Sequence, residues 1–146
     1  AATATARGVS RPDVTLRGGV VFDDPRGPIE HFSWGTFVIR GEKHSTGAGV
    51  GKDLRLVGQD VSPWRERKGH KLKKSMITGV YDRDIDVLVI GLGVHDAVRC
   101  PDAVKEAIIE QGIPELILQP TPQACATYNE LFHKKRRVAL LAHGTC

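Results

Sequence analysis

Aromatic residues supply only 5% of the 146 positions. Any core must therefore be filled mainly by aliphatic side chains, and the 40% apolar share is enough for one such core. Cysteine is scarce. Cys100, Cys125 and Cys146 are odd in number and far apart, which argues against a disulfide framework and against a Cys-x-x-Cys zinc site. No apolar run approaches the roughly 18–20 residues of a membrane-spanning helix. Acid is missing from residues 1–12, which are rich in Ala and Thr and carry Arg7 and Arg11. That is the composition of a mitochondrial transit segment or its remnant. Charge of one sign does not dominate: Lys and Arg number 21 against 17 Asp and Glu. So mild an excess suits an acidic protein partner or RNA without deciding between them.

The organising stretch is 86–137. Val87-Leu88-Val89-Ile90 is an apolar run closed by Gly91-Leu92-Gly93, and Leu116-Ile117-Leu118 is a second, entered through Gly112-Ile113-Pro114. Short apolar runs bounded by turn residues read as buried strands. Helical patterns follow each, over 101–111 and from Thr121 through Leu131. Strands alternating with helices form a β-α-β-α unit with a parallel pair. The fold class is therefore α/β: a small single domain with a mixed central β-sheet flanked by helices. Residues 1–17 are assigned as an N-terminal tail and 18–146 as the domain.

Upstream, Asp23-Asp24-Pro25-Arg26-Gly27-Pro28 reads as a turn. Residues 32–40 read as one strand, 41–44 as a hairpin-like turn, and 53–57 as a short strand. The glycines at 47, 49 and 51 suggest a flexible loop. They do not suggest a P-loop, because Gly51-Lys52 is followed by Asp53. Residues 72–81 read as a short helix or turn. Asp82, Asp84 and Asp86 alternate but lack the glycine and glutamate of a calcium loop. Their expected role is to end a loop and discourage edge pairing.

Several residues bear on chemistry. Gly91-x-Gly93-x-x-Asp96 partly matches a dinucleotide-binding turn, but an acid replaces the third glycine and Gln119 stands where a ribose-binding acid would. A tight strand-to-helix turn is the better expectation, with the crevice at the strand ends as the natural pocket. His95, Asp96 and Cys100 follow that turn; a thiol with a base is one reading. Pro101 is expected at the first helical position, with Cys100 at the cap. Tyr128 and Asn129 would either bind a ligand or lock their helix to the sheet, the latter preferred. Cys125 is expected to be buried and inert. Two basic clusters stand out. Arg65, Arg67, Lys68, Lys71, Lys73 and Lys74 surround Trp64 and His70; Lys134, Lys135, Arg136 and Arg137 end the second helix. The first suits phosphate or an acidic partner, and the second also suits a helix dipole.

The Val-Leu-Val-Ile-Gly-Leu-Gly run at 87–93, Gly112-Ile113-Pro114 with 115–118, Thr127-Tyr128-Asn129 and Arg136-Arg137-Val138 carry a family resemblance, which spans about 18–142. The chain resembles the complex I assembly factor 3 family, which includes adipogenesis-associated domain proteins and bacterial and archaeal relatives. The resemblance implies a compact α/β domain without catalysis or cofactor, working in the mitochondrial matrix through contacts with protein subunits of respiratory complex I. The stiff Gln119-Pro120-Thr121-Pro122 turn and the glycines at 47–51 depart from the family pattern.

Gly91, Gly93, His95, Asp96, Tyr128 and Asn129 are therefore the expected ligand- or partner-binding residues, and the two basic clusters the expected partner contacts. No metal site is expected. Two alternatives stand beside this reading: a structural component of another large mitochondrial complex such as the ribosome, touching rRNA, and a small-molecule or thiol enzyme using the strand-end crevice.

Overall fold

The computed structural model describes residues 13–15, 21–46 and 52–146. Residues 1–12 and the glycines at 47, 49 and 51 lie outside these. Two five-stranded sheets are present among the described residues. The first is an antiparallel meander of β1 (Asp13–Thr15), β2 (Val21–Asp23), β3 (Ile29–Ser33), β4 (Thr36–Ile39) and β5 (Glu42–Ser45). The second is mixed. It contains β6 (Asp53–Val57), β7 (Asp60–Pro63), β8 (Val87–Gly91), β9 (Glu115–Gln119) and β10 (Val138–His143), in the order β7-β6-β10-β8-β9. Helices α1 (Asp102–Glu110) and α2 (Thr121–His133) follow β8 and β9, so the β-α-β-α unit and its parallel pair are present. Val87 stands opposite Glu115 and Gly91 opposite Gln119. No helix among the described residues is long and apolar enough to cross a membrane.

The mixed sheet is buried on both faces, so its central strands read as continuous apolar runs. Strand alternation sorts them. Val87, Val89, Leu140 and Ala142 pack toward α2 and the Phe22, Phe32 and Phe37 rings of the first sheet. Leu88, Ile90, Ala139 and Leu141 pack with Val104 and Ile108 of α1 and with Trp64, Leu72 and Met76. Phe22, Phe32, Phe37 and Tyr128 thus lie on the α2 side of the mixed sheet, and Trp64 on the α1 side.

Four expectations need correction. The expected single strand over 32–40 is a hairpin, because Trp34-Gly35 turns the chain; Gly35 has φ +70° and its N–H donates to the Gly144 carbonyl at 2.7 Å. Glu42 to His44 are strand, not turn, since the reversal comes one step earlier at Arg40-Gly41. Helix α1 starts at Asp102, with Pro101 itself as the cap residue. A short strand, β1, pairs with β2 inside the segment assigned as tail. One element was absent from the sequence reading altogether. β10 lies at the centre of the mixed sheet, parallel to β8 and antiparallel to β6, with all six residues buried. The 72–81 stretch holds one 3-10 turn, Lys74–Met76.

Candidate functional site

β8, β9 and β10 end side by side at Gly91, Gln119 and His143, and antiparallel β6 begins there at Asp53. Thr121, the first residue of α2, joins these ends. Its hydroxyl accepts the Gly93 N–H at 2.9 Å and donates to the His143 carbonyl at 2.6 Å. A Cβ at Gly91 would sit 2.8 Å from that hydroxyl, so close approach requires glycine at 91. The next segment of chain, 144–146, lies across the turn. Val94 N–H donates to the Thr145 carbonyl at 2.6 Å and His95 N–H to the Cys146 main-chain oxygen at 3.1 Å. Leu92 N–H goes to Gln119 and Val98 N–H to Leu92. Gly93 has φ +100°, and a Cβ there would come within 2.4 Å of the Cys146 carbonyl carbon. The glycines therefore admit the chain's own backbone where a dinucleotide fold would admit a pyrophosphate. The crevice expected as a pocket is filled, and its amides are already bonded.

A polar cluster stands beside this turn. Asp53 Oδ1 accepts from His143 Nδ1 at 2.9 Å and from Arg67 Nε at 2.5 Å. Arg67 also donates to the Gly69 carbonyl. His143 Nε2 faces Cys146 Sγ at 3.8 Å, and His70 Nε2 lies 3.4 Å from the same sulfur. His70 is held there by its backbone: Arg99 N–H donates to its carbonyl at 2.8 Å, and Leu72 N–H to the Arg99 carbonyl at 2.9 Å. Segment 65–74 is thereby tied to the strand-end loop. A cavity of about 390 Å³ opens between Lys52, Trp64, Arg65, Arg67 and Lys68.

Residues 29–143 match a family described as protein of unknown function (DUF498/DUF598). The chain belongs to the DUF498/DUF598 family. Solved structures share the fold of this DUF498 domain. A conserved hypothetical protein from Pyrococcus horikoshii OT3 superimposes with a TM-score of 0.64 at 21% identity, covering 81% of this chain and 98% of that one. A Bartonella henselae protein described as an outer membrane protein gives 0.68 at 23% identity, over 82% and 95% of the two chains. A Mth938-like domain from Bordetella pertussis gives 0.51 at 14%, over 99% and 92%.

The structure divides the sequence-predicted residues of this DUF498 domain between two ends of the sheet. Gly91, Gly93, His95 and Asp96 are at the strand ends. His95 is exposed and its ring lies 5.9 Å from that of Trp34. Cys100 is half-buried; burial pushes its thiol up, with Lys105 opposing, and no hydrogen bond joins it to His95 among the described residues. Cys125 is fully buried, and burial pushes its thiol well up. Tyr128 and Asn129 lie elsewhere. The Tyr128 hydroxyl donates to the Gly58 carbonyl at 3.3 Å, and burial pushes the phenol up to about 12. Its ring lines a cavity of about 330 Å³ with Val57, Phe132 and Arg137. Asn129 is buried and bonded: Oδ1 accepts Ile29 N–H at 3.0 Å, and Nδ2 donates to the Ile29 carbonyl at 2.7 Å and to Asp24 Oδ2 at 3.0 Å. It locks α2 to the β2–β3 loop.

The basic clusters also separate. Arg65, Lys68, Lys71, Lys73 and Lys74 are exposed and form no ion pair among the described residues, but Arg67 is buried against Asp53 and leaves that set. The second cluster is largely neutralised within the chain. Lys134 pairs with Glu130, Arg136 with Glu115, and Arg137 with Asp84 and Asp86; Lys135 is exposed. Asp84 and Asp86 are therefore ion-pair partners rather than edge guards. The Arg137 hydrogen bond holds Asp86 below the ordinary carboxylate value of 3.8.

Sequence reasoning missed Trp34, Asp53, Thr121 and His143 as site residues. His143 closes the apolar run at 138–142, which was the available signal for a strand end. Nothing in the sequence pairs it with Asp53.

Proposed function

We propose that this DUF498 domain is a non-catalytic docking module of the mitochondrial matrix that helps to assemble respiratory complex I or remains embedded in it. One observation carries the docking reading. Trp34, 54% exposed, stands at the strand ends beside His95, and the unpaired cations of segment 65–74 are tied to the same end through His70. An exposed tryptophan is a common interface anchor, and unpaired cations at the same end favour an acidic protein surface. The bonded amides of the glycine turn and the raised thiol of half-buried Cys100 support binding over catalysis. The acid-free composition of residues 1–12 supports the mitochondrial address. Complex I rests on the family resemblance at 87–93, 112–118 and 127–129.

The test is a native-size profile. The tagged chain, released gently from mitochondria, should co-migrate with complex I or its subassemblies with or without RNase, and Trp34→Ala should weaken that association. A peak at the size of free monomer or dimer sinks the reading. A second reading has one observation in its favour: unpaired cations and an exposed tryptophan at one end of the sheet also suit a phosphate backbone with stacked bases. Migration with ribosomal particles that RNase disperses would select it.

A further inference from the structure

We propose that His70, His143 and Cys146 form a zinc-binding site at the strand ends, with a fourth coordination position open. Their donor atoms, two imidazole nitrogens and one sulfur, all lie within 4.8 Å of one another. Cys146 Sγ is 3.4 Å from His70 Nε2 and 3.8 Å from His143 Nε2. In a tetrahedral site, zinc–nitrogen bonds of about 2.0–2.1 Å and a zinc–sulfur bond of about 2.3 Å set neighbouring donors roughly 3.3–3.6 Å apart. The two sulfur–nitrogen distances stand close to that spacing, and the two imidazole nitrogens, within 4.8 Å of each other, would close on the metal by side-chain rotation.

The surroundings prepare the ligands. Asp53 is ion-paired with Arg67 and can only accept. The proton of His143 is thereby assigned to Nδ1, leaving the Nε2 lone pair toward Cys146. A carboxylate behind a ligating histidine fixes the tautomer and raises ligand basicity. Both outer ligands are pinned by backbone: the Cys146 main-chain oxygen accepts the His95 amide, and the His70 carbonyl accepts the Arg99 amide. The Thr145 hydroxyl, 3.2 Å from His143 Nε2, would give up that contact on binding.

The donor set narrows the metal. One thiolate with two imidazoles suits zinc and disfavours magnesium and calcium, which take oxygen. Binding releases the Cys146 thiol proton to solvent as the sulfur–zinc bond forms. The same three residue types, Cys146, His143 and Asp53, also resemble a nucleophile, base and orienter. Ligation is favoured because the His95 and Ala97 amides, the nearby candidates for an oxyanion hole, are occupied by the Cys146 main-chain oxygen. The fourth position, on the exposed His70 side, is left for water or for a donor from a bound partner.

Cobalt(II) and zinc(II) are the probes. The metal-free, reduced 146-residue chain should bind one equivalent of cobalt, with a thiolate-to-cobalt charge-transfer band and the intense visible bands of tetrahedral cobalt, and zinc should displace it. Cys146→Ser should remove the charge-transfer band. His70→Ala changes an exposed side chain and should weaken binding at least about tenfold while thermal unfolding of the metal-free chain stays unchanged. Asp53→Asn should weaken binding by about tenfold to a hundredfold and keep the band. Absence of the charge-transfer band in the folded wild-type chain overturns the proposal. So does undiminished cobalt affinity in both His70→Ala and Cys146→Ser.

Discussion

Gly93 shows how much one missing methyl can decide. Its φ of +100° and the Cys146 carbonyl carbon 2.4 Å from a would-be Cβ leave no room for any side chain. Gly93→Ala is expected to expel segment 144–146, raising hydrogen exchange at Val94 and His95 and destabilising the fold by more than about 1 kcal/mol. The sequence displayed this glycine but not the reason for it, because its neighbour lies far along the chain. Asn129 was easier to interpret. A buried amide on a helix needs partners, and those it has are the Ile29 backbone and Asp24. Asp86 gives a pH test. Its folded pKa is depressed by the hydrogen bond from Arg137. Its contribution to stability is therefore present above the ordinary value of 3.8 and is lost as pH falls through the lower folded value. Its carboxyl resonance should titrate below 3.8 in the wild type and return upward in Arg137→Ala.

At the scale of elements, β8, β9 and both helices were legible. Their apolar runs are bounded by Gly and Pro, and their spacing alternates between strand and helix. β6 was legible for similar reasons, between Gly51-Lys52 and Gly58. β10 was not, although Val138-Ala139-Leu140-Leu141-Ala142 is an apolar run. An apolar run alone carries no sign that it inserts between β8 and β6. Its central position predicts its energetics. Leu140 is fully buried, so Leu140→Ala should cost about 2–5 kcal/mol in urea unfolding. The β10 amides should be the slowest to exchange, with the edge strands β7 and β9 faster. The Trp34-Gly35 reversal was hidden because Phe32, Phe37 and Ile39 read as one continuous strand. Its turn is fixed from outside, by the Gly35 bond to Gly144.

The whole molecule is asymmetric in charge. Its net +4 is not spread evenly: 136–137 is neutralised by Glu115, Asp84 and Asp86, whereas the exposed cations of 65–74 are unpaired among the described residues. Lys71→Glu, Lys73→Glu and Lys74→Glu together should shift the native-size profile toward free chain and flatten its salt dependence. They should change unfolding free energy by less than about 0.5 kcal/mol each, since all three are exposed. By itself, the sequence determined the α/β class and the parallel pair, because strand and helix periodicities and local turn chemistry are written in neighbouring residues; the one aliphatic core it suggested is instead two clusters, one on each face of the mixed sheet. Only the tertiary structure decided which cations remain free, what fills the glycine turn, and that Asp53, His70, His143 and Cys146 meet. Those outcomes depend on strand order and on close approach between distant segments, and local periodicity encodes neither.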